Sequence, residues 1–516
     1  MADTGGPSIF RSLKIWSKTV SQCSMSEPRI ALCLIVKNEA ENIGPCIKPV
    51  VDLVDEVVVI DTGSTDATIR AARQLGAHVY TFPWCDDFSA ARNQFFEHTA
   101  AKWIFWLDAD DRIDNANRLL LQELFATLGD ANKAYRMRTL CLFSTSPPVV
   151  VNHERLFRNH PSIRWRYRVH EQILPSLIEQ GAQLHDTKIV IRHTGYQDRI
   201  PHRAKLERDL RLMEIEKTEQ PDDPFVLFNL GRAYIDLRRP DEALACLHQS
   251  LSISDSGVRW QPPLPWLYRA LAHGYRQNQD LKQALTTCQK GLDQCPGDPL
   301  LLKELGSILE IQGELAAAEA TYWQYLEQCS VTDEASGAYH VRQRLAQMLE
   351  AQKRRDEAQE HWRAALAERM DYLPAVLGLM DSYMATNRSQ EAENLVKQAV
   401  EFGEKTIPAL VAQARLDMHR REFVQARSLL ERAVIMAPSD VTVREALSHV
   451  FISEGQDWTA VEDALLAVLE LNPEHTAAQA NLQVVRKHHK PVQGDQESPS
   501  SSDQRGKDTD GNSLAS

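Results

Sequence analysis

The chain has 516 residues, 43% hydrophobic and 25% charged, a composition that excludes a fibrous or wholly disordered protein. Its net charge of −13 argues against general nucleic-acid binding, which requires a basic surface for the phosphates. The length exceeds that of one ordinary hydrophobic core, so we expect two to four domains.

Cysteine usage and hydropathy indicate the compartment. The nine cysteines are scattered and include no Cys-x-x-Cys pair, which argues against zinc sites, dithiol redox sites and a secreted disulfide framework. No run of about 18 apolar residues occurs, so we expect no transmembrane helix. Residues 1–28 lack an uninterrupted apolar segment and are predicted to be a flexible leader, with a surface helix as the alternative. A cytoplasmic protein is the simplest prediction, and peripheral attachment at the inner membrane face stays open.

Residues 29–200 alternate between short apolar runs and segments of helical periodicity. The apolar runs that we expect to be buried strands are Ile30–Val36, Val57–Ile60, His78–Phe82 and Trp103–Leu107. Helical periodicity lies between them, at Asp66–Leu75 and Ser89–Ala101. Strand, helix and strand at this spacing predict an α/β domain with a mostly parallel, Rossmann-like sheet that is covered by helices.

Polar residues follow the strands and are expected to converge, because ligands bind beyond the carboxyl ends of parallel strands. Asp108 and Asp110 follow the fourth strand and, two residues apart in an extended chain, point the same way. Two carboxylates held together are unfavourable unless a cation lies between them. A hard divalent ion with oxygen ligands is the natural partner, and it would also hold a diphosphate. A solvated acidic turn is the alternative.

The segment from Asp61 to Asp66 follows the second strand. Asp61 could accept hydrogen bonds from a nucleobase or ribose, and Gly63 permits an otherwise strained turn. Ordinary helix capping by Ser64 or Thr65 is the alternative, and both interpretations can hold at once. The chain contains no Gly-x-Gly-x-x-Gly and no Walker loop, which disfavours a dinucleotide-binding domain and an ATPase.

The pattern becomes purely helical at about residue 222, after a predicted linking helix over residues 201–221. Alanines recur every 34 residues, a period typical of tetratricopeptide repeats, and a small residue often precedes them by twelve positions. The alanines that keep this period are Ala284 and Ala318, then Ala358, Ala392, Ala426 and Ala460. We expect about seven helix–turn–helix units over residues 222–486, stacked into an all-α superhelix with a concave surface. Residues 487–516 are almost free of apolar residues and are predicted to be a disordered tail.

The ordered motifs of residues 29–200 together resemble one family. They are Lys37-Asn38-Glu39, the segment Asp61–Asp66, Asp87–Asn93, Leu107–Asp111, Val169-His170-Glu171 and His193–Tyr196. This set is similar to that of the family 2 glycosyltransferases of the GT-A fold, above all to the bacterial branch of lipopolysaccharide-core glucosyltransferase-like proteins. The resemblance implies a metal-dependent transfer of a sugar from a nucleoside diphosphate, and this branch is often fused to tetratricopeptide repeats.

The resemblance also implies roles for individual residues. Asp61 would bind the nucleotide, with Lys37 and Glu39 near the base and ribose. Asp108 would contact the donor and, together with Asp110, would hold Mg²⁺ or Mn²⁺ on its diphosphate.

Three further residues carry alternatives. Arg92 could approach the nucleotide or the diphosphate, or it could pair with an acid on the surface of its helix. His193 could complete the metal site or touch the diphosphate, or it could be a structural histidine that bonds a loop carbonyl. The family pattern usually has Glu where Asp111 stands, which keeps the charge but shortens the reach and leaves a direct role for Asp111 in doubt.

Glu171 is the candidate catalytic base. Inversion at the anomeric carbon needs a carboxylate that takes the proton of the acceptor hydroxyl during in-line attack. Val169-His170-Glu171 has the place in the chain where family 2 enzymes carry an acidic base, and a salt bridge from Glu171 to Arg166 or Arg168 is the alternative. A cationic stretch could bind an anionic donor or acceptor, or could be a solvated strand face: it comprises Arg155, Arg158, Arg164, Arg166 and Arg168.

Two functions follow from these observations. The first is an inverting transferase that moves a hexose from a nucleoside diphosphate, with UDP favoured, to a protein, peptide or glycan acceptor, while the repeats recruit the acceptor or a protein partner. The second is a repeat adaptor without enzymatic activity, whose N-terminal domain binds a nucleotide sugar and does not turn it over. The presence of both aspartates and of Glu171 favours the transferase.

Overall fold

A computed structural model describes residues 29–143, 149–196, 202–254, 261–332, 337–403 and 406–488. The leader predicted for residues 1–28 and all but the first two residues of the tail predicted for 487–516 lie outside this part of the chain. The chain divides into two compact units, residues 1–341 and 342–516. No helix among the described residues is long and apolar enough to cross a membrane.

The first part of the chain is a mixed sheet with short helices. The strands are β1 (Ile30–Val36), β2 (Glu56–Asp61), β3 (His78–Thr81), β4 (Trp103–Trp106), β5 (Asp111–Arg112), β6 (Lys133–Phe143), β7 (Val149–Arg158) and β8 (Gln183–Tyr196). The helices are α1 (Ile43–Ile47), α2 (Thr68–Gln74), α3 (Phe88–Asn93), α4 (Phe95–His98), α5 (Asn115–Thr127) and α6 (Leu174–Glu179). The order of the strands in the sheet is β3-β2-β1-β4-β7-β6-β8-β5.

The parallel half of the sheet contains the four strands that the apolar runs predict. The expectation that the run His78–Phe82 is buried is wrong, because β3 is an edge strand whose residues are exposed or only partly buried. β1 pairs in parallel with β2 and β4, and β2 pairs in parallel with β3. Successive residues of β1 point to opposite faces, so Leu32 and Leu34 enter one core while Ala31 and Cys33 enter the other. A strand that is buried on both faces reads as a continuous apolar run, as β1 does.

The other half of the sheet is mostly antiparallel. β7 pairs antiparallel with β4 and with β6, β6 pairs in parallel with β8, and β5 pairs antiparallel with β8. The helix predicted over Ser89–Ala101 is in fact the two short helices α3 and α4. At the end of α3, the Asn93 side chain exchanges two hydrogen bonds with the backbone of Trp165, at 3.0 and 2.8 Å, which ties this point to a distant segment.

In the described residues from 202 onward, the only regular elements are helices. They are α7 (His202–Glu219), α8 (Pro224–Asp236), α9 (Pro240–Ser254), α10 (Leu264–Gln277), α11 (Leu281–Gln294), α12 (Pro299–Ile311), α13 (Leu315–Thr332), α14 (Ala338–Ala351), α15 (Arg355–Glu368), α16 (Leu373–Ala385), α17 (Ser389–Gly403), α18 (Ile407–His419), α19 (Phe423–Met436), α20 (Val441–Glu454), α21 (Trp458–Leu471) and α22 (Thr476–His488). In chain order, the described helices from α8 to α21 form seven pairs of similar length, and α22 follows them. The mixed α/β domain and the all-helical region agree with the predicted fold class.

Small residues allow the two helices of a pair to approach closely. A Cβ atom built at Gly306 in α12 would lie 2.4 Å from Cε1 of Tyr322 in α13. A Cβ atom at Gly231 in α8 would lie 2.5 Å from Cγ of Leu247 in α9. Carbon atoms do not approach each other this closely. The short distance between the two helices therefore restricts this position of the repeat to small residues.

We expect Gly306→Ala to destabilise the helical region by about 1–3 kcal/mol, because the Tyr322 ring is rigid and must shift to admit a methyl group. Urea unfolding of the full chain, followed by circular dichroism, measures the loss. Gly44→Ala in α1 is the matched control, since nothing lies within 4 Å of the atom it adds. An equal midpoint for the two variants would contradict this account of the helix spacing.

Candidate active site

The carboxyl ends of β1, β2 and β4 lie along one edge of the sheet, because these strands are parallel neighbours. Lys37 follows β1, Asp61 is the last residue of β2 and Asp108 comes two residues after β4. The edge on which these residues were expected to converge therefore exists. The side chains that meet directly there come from the turn between β4 and β5, from β5, β7, β8 and α3, and from the segment before α6.

An acidic cluster lies at this edge. Asp108, Asp110, Asp111 and His193 each offer one ligand atom, and these atoms all lie within 4.8 Å of one another. The pairing of β5 with β8 sets Asp111 opposite His193, although the two residues are far apart in the chain. The main chain of Asp110 is held by Thr194, whose amide and hydroxyl donate to the Asp110 carbonyl at 3.1 and 2.9 Å. Three of the predicted metal ligands are thus brought together.

His193 contacts two carboxylates through one ring nitrogen. Its Nδ1 lies 3.0 Å from Oδ1 of Asp111 and 3.2 Å from Oδ1 of Asp110. Burial alone would lower the pKa of His193, but the hydrogen bond to Asp111 and the charges of Asp110 and Asp108 outweigh it and raise that pKa above its usual value.

Asp111 is more deeply involved than the sequence indicated. Its side chain is 1% exposed, and Oδ2 accepts a hydrogen bond of 2.9 Å from the amide of Asp108. The same carboxylate contacts His193 and, at 2.9 Å, Nη1 of Arg155. Asp111 therefore shapes the turn that presents Asp108 and Asp110, and its carboxylate is also a candidate metal ligand.

Gly195 makes room for Asp110. A Cβ atom at position 195 would lie 1.8 Å from Oδ2 of Asp110 and 3.2 Å from Nε2 of His193. Any other residue would push the Asp110 carboxylate out of its place. The glycine of the His193–Tyr196 motif is thus required by the close approach of a side chain.

Arg92 joins the acidic cluster to the candidate base. Its Nη2 donates to Oδ1 of Asp108 at 2.7 Å and its Nε donates to Oε1 of Glu171 at 2.8 Å. The guanidinium carbon lies 4.4 Å from the ring centroid of Trp106 and 5.0 Å from that of Trp165. The residue is 4% exposed. The alternative that Arg92 pairs with an acid on the helix surface is wrong, since both of its acidic partners come from other segments.

Arg155 lies at the bottom of the cluster. It is fully buried in β7, with Nη1 2.9 Å from Asp111 and 3.6 Å from Asp108, and its guanidinium lies 3.8 Å from the ring centroid of Trp106. A solvated strand face therefore does not describe Arg155. A buried arginine requires carboxylate partners, and here those partners are the candidate metal ligands.

The charges of the site do not cancel. Two guanidiniums, of Arg92 and Arg155, face four carboxylates. Burial alone would raise the pKa of Asp108, but Arg92 and Arg155 hold it well below its usual value. Burial and the charge of Asp108 raise the pKa of Asp110 to about 7. A divalent cation is the partner that would stabilise the ionised form of Asp110, and the oxygen and imidazole donors present fit Mg²⁺ or Mn²⁺.

Glu171 lies on a segment, residues 166–172, that is closed by two backbone hydrogen bonds between Arg166 and Gln172 at 3.0 and 2.9 Å. The salt bridge from Glu171 to Arg166 or Arg168, considered above, does not form. Arg166 pairs with Glu179, Arg168 pairs with Glu219, and Glu171 pairs with Arg92.

The remaining predicted residues lie along the same edge. Asp61 is 1% exposed, and its carboxylate accepts hydrogen bonds from the amides of Gly63 and Ser64, so it shapes the turn after β2. Glu39 accepts a hydrogen bond of 2.8 Å from Asn42, and its charge contributes to the raised pKa of Asp110. No hydrogen bond or ion pair among the described residues joins Lys37 or Asp61 to the acidic cluster. Their nucleotide-binding roles stay predictions.

Comparison with known protein families decides the class of this domain. Residues 31–132 match the family model described as Glycosyl transferase family 2. Residues 224–256, 265–308 and 349–416 match models described as Tetratricopeptide repeat. The chain carries a family 2 glycosyltransferase domain followed by tetratricopeptide repeats.

Several known proteins are similar to parts of this chain. A TPR repeat-containing protein of Synechococcus elongatus is 33% identical over 279 residues, which are 52% of this chain and 66% of that protein. The SPbeta prophage-derived glycosyltransferase SunS of Bacillus subtilis is 26% identical over 238 residues, 44% of this chain and 54% of SunS. The chain thus spans about two thirds of the first relative and about half of the second. Yeast Tom70 matches in structure with a TM-score of 0.41 and 14% identity, over 55% of this chain and 59% of that one.

Several residues of the glycosyltransferase site were missed from the sequence. Trp106 and Trp165 flank Arg92, with their rings edge to face at 5.0 Å, and the former was expected only as part of a strand. Arg155 was considered from the sequence only as one member of a cationic stretch, and its burial beneath the acidic cluster was not predicted. For Trp165 no local signal distinguishes this role from ordinary core packing.

We expect Asp110→Asn to raise the melting temperature of the glycosyltransferase domain in EDTA, because it removes a buried negative charge beside Asp108. Saturating Mn²⁺ should stabilise the wild type, by roughly 2.7 kcal/mol at 100 times the dissociation constant, and should stabilise the variant far less. Asp130→Asn is the control, since Asp130 is 82% exposed. An equal Mn²⁺ effect in Asp110→Asn and wild type would place the ion elsewhere.

Gly195→Ala removes no ligand atom and should still weaken Mn²⁺ binding, at least about tenfold, because its methyl group occupies the position of Oδ2 of Asp110. Titration calorimetry with MnCl₂ measures the affinity. Gly129→Ala is the matched control, because nothing lies within 4 Å of its added atom. Unchanged Mn²⁺ affinity in Gly195→Ala would show that Asp110 is not a ligand.

Proposed function

We propose that this chain is an inverting glycosyltransferase that moves a hexose from a nucleoside diphosphate sugar to a protein, peptide or glycan acceptor. UDP-sugars are the first donors to test. The observation that carries the proposal is the buried guanidinium of Arg92, which links Glu171 to Asp108. A candidate base and a candidate metal ligand thus lie on either side of one side chain, as a reaction centre between donor and acceptor requires.

The donor would bind along the carboxyl edge of the sheet. Lys37, Glu39 and Asp61 would contact the nucleotide, while Arg92 and Asp108 would lie nearest the diphosphate. A divalent cation would be held by Asp108, Asp110 and His193, with Asp111 as a further candidate ligand, and it would stabilise the negative charge of the departing diphosphate.

Glu171 would take the proton of the acceptor hydroxyl. Its Oε1 is engaged by Arg92, and among the described residues no hydrogen-bond donor contacts its Oε2. The side chain is 16% exposed, so this oxygen is within reach of an acceptor. As the acceptor oxygen bonds to the anomeric carbon, the proton passes to Oε2 and the bond from that carbon to the diphosphate oxygen breaks. Attack opposite the leaving group inverts the configuration.

The repeats would recruit the acceptor or a protein partner. Extended helical repeats typically bind peptides and proteins along their surfaces. The glycosyltransferase names of SunS and of a Rickettsia felis relative, 34% identical over 116 residues, support the transferase rather than the adaptor.

The decisive experiment is sugar-nucleotide turnover by the full chain with Mn²⁺, across UDP-, GDP- and TDP-sugars, with water or cell extract as the acceptor. We expect Glu171→Gln to lower kcat by about 10²–10⁴-fold and to leave Mn²⁺-dependent donor binding unchanged, because only the proton acceptor is lost. Asp110→Ala should lose both turnover and Mn²⁺ dependence.

Glu179→Gln is the matched control, because Glu179 is an acid eight positions further along that pairs with Arg166, outside the acidic cluster. This variant should keep wild-type turnover. If the wild type turns over none of the donors with any acceptor source, the transferase proposal fails and the repeat adaptor replaces it.

A further inference from the structure

The segment that carries Glu171 contacts two helices that lie outside residues 31–132, the part of the chain that matches the glycosyltransferase family. Residues 166–172 contact α7, the helix that links the sheet to the repeats, and α8, the first helix of the first repeat. The family match ends at residue 132, so nothing in it accounts for these contacts.

The first contact is a buried hydrogen bond from the backbone. The amide of Arg168 donates to Oε2 of Glu216 in α7 at 2.7 Å, and Glu216 is 6% exposed. The carbonyl of the same residue accepts a hydrogen bond of 2.9 Å from the amide of Phe88, the first residue of α3. One residue of the segment is thus tied both to α7 and to the helix that carries Arg92.

The second contact is aromatic. Tyr167 is 8% exposed, and its ring centroid lies 4.7 Å from that of Phe225 in α8. Its hydroxyl donates to Oδ2 of Asp223 at 3.2 Å, while Oδ1 of Asp223 accepts hydrogen bonds from the first amides of α8. The start of the first repeat therefore fixes the position of a residue four places before Glu171.

The segment needs such support because its backbone is strained. Tyr167 has φ of 74° and His170 has φ of 56°, in the left-handed region that side chains disfavour. Each such residue costs of order 1–3 kcal/mol and persists only where the surrounding structure imposes it. Here the surrounding structure includes α7 and α8.

Helix α7 also holds the other side of the Arg92–Glu171 pair. Arg211 of α7 pairs with Asp86, at 2.8 and 2.7 Å, and Asp86 is a left-handed residue with φ of 59°. The next residue, Asp87, caps α3 through the amide of Ala90. The segments that lead to Arg92 and to Glu171 are therefore both anchored on one helix.

A polar cavity lies beside these contacts. It has a volume of about 270 Å³, and its lining includes Asp87, Arg168, Glu216, Glu219 and Asp223. Beside the cavity, Tyr167 and Val169 pack against Leu210 and Met213 of α7, so apolar packing and hydrogen bonds together set the position of the segment relative to α7.

We propose that Glu216 is a positioning residue of the transfer reaction: by holding the Arg168 amide, it sets Glu171 against Arg92, and the linking helix is thereby part of the catalytic unit. This inference rests on the proposed function, since it takes Glu171 to be the base. The hydrogen bond from Tyr167 to Asp223, at the start of the first repeat, positions the same segment. A domain cut off before α7 would keep the metal ligands but would not hold the base in place.

The test compares full-length Glu216→Ala, Glu216→Gln and Glu219→Ala. The alanine at 216 removes the acceptor of the Arg168 amide, whereas glutamine keeps a side-chain oxygen there. Glu219, one turn further along α7, is itself exposed and pairs with the guanidinium of Arg168 and not with its backbone, so Glu219→Ala is the matched control. Turnover gives kcat and the donor KM, and deuterium exchange of residues 166–172 reports whether the segment is held.

We expect Glu216→Ala to lower kcat roughly 10- to 100-fold while the donor KM stays within about twofold, and to speed exchange of the segment. Glu216→Gln should restore both quantities, and Glu219→Ala should change neither. Should Glu216→Ala fail to fold, Tyr167→Phe, which removes only the hydroxyl, should show the same split with a smaller loss of kcat. If the role of Glu216 were merely structural, Glu216→Ala would lower the amount of active protein, and Glu216→Gln would not rescue the activity.

Two outcomes are distinguished. If the wild type is active and Glu216→Ala keeps its kcat within about threefold, or loses activity through donor KM or Mn²⁺ affinity instead, the positioning role is overturned while the transferase stands. If the wild type turns over no donor, the proposed function itself fails, and the exchange data then describe only a structural contact.

Discussion

The site depends on the buried guanidinium of Arg92. It lies between two tryptophan rings and bonds one carboxylate on each side, Asp108 and Glu171. Burial of a charge is costly unless it is paired, and the guanidinium of Arg92 has a carboxylate partner on each side. The same ion pairs fix the distance between the candidate base and the candidate metal ligands. Stability of the core and geometry of the reaction centre thus rest on the same contacts.

In the acidic cluster, unlike around Arg92, the charges are not balanced. Asp108, Asp110 and Asp111 together with Glu171 outnumber the two arginines that face them. Burial and the charge of Asp108 raise the pKa of Asp110 to about 7. A fold keeps such a cluster only at a cost in stability, which is typical of functional sites. The requirement for Gly195 has the same origin, because a carboxylate is held where a side chain would otherwise lie.

The helical region also contacts the candidate active site. Its first helices contact the strained segment that carries Glu171, through a backbone amide and an aromatic ring. Two parts of the chain that differ completely in periodicity therefore share one structural element. This arrangement gives a physical reason why a repeat array should follow the catalytic domain directly, with one helix between them.

The sequence by itself determined the strands that are buried on both faces, the carboxylates at the ends of β2 and β4, and the period of the helical repeats. These features are local, because an apolar run, an acidic pair and a 34-residue spacing are visible within short stretches. Only the tertiary structure decided that Arg92 pairs with Glu171, 79 residues away, and that Asp111 meets His193, 82 residues away. It also decided that Arg155 is buried rather than solvated. Such pairings depend on which strands become neighbours in the sheet, and no local pattern encodes that order.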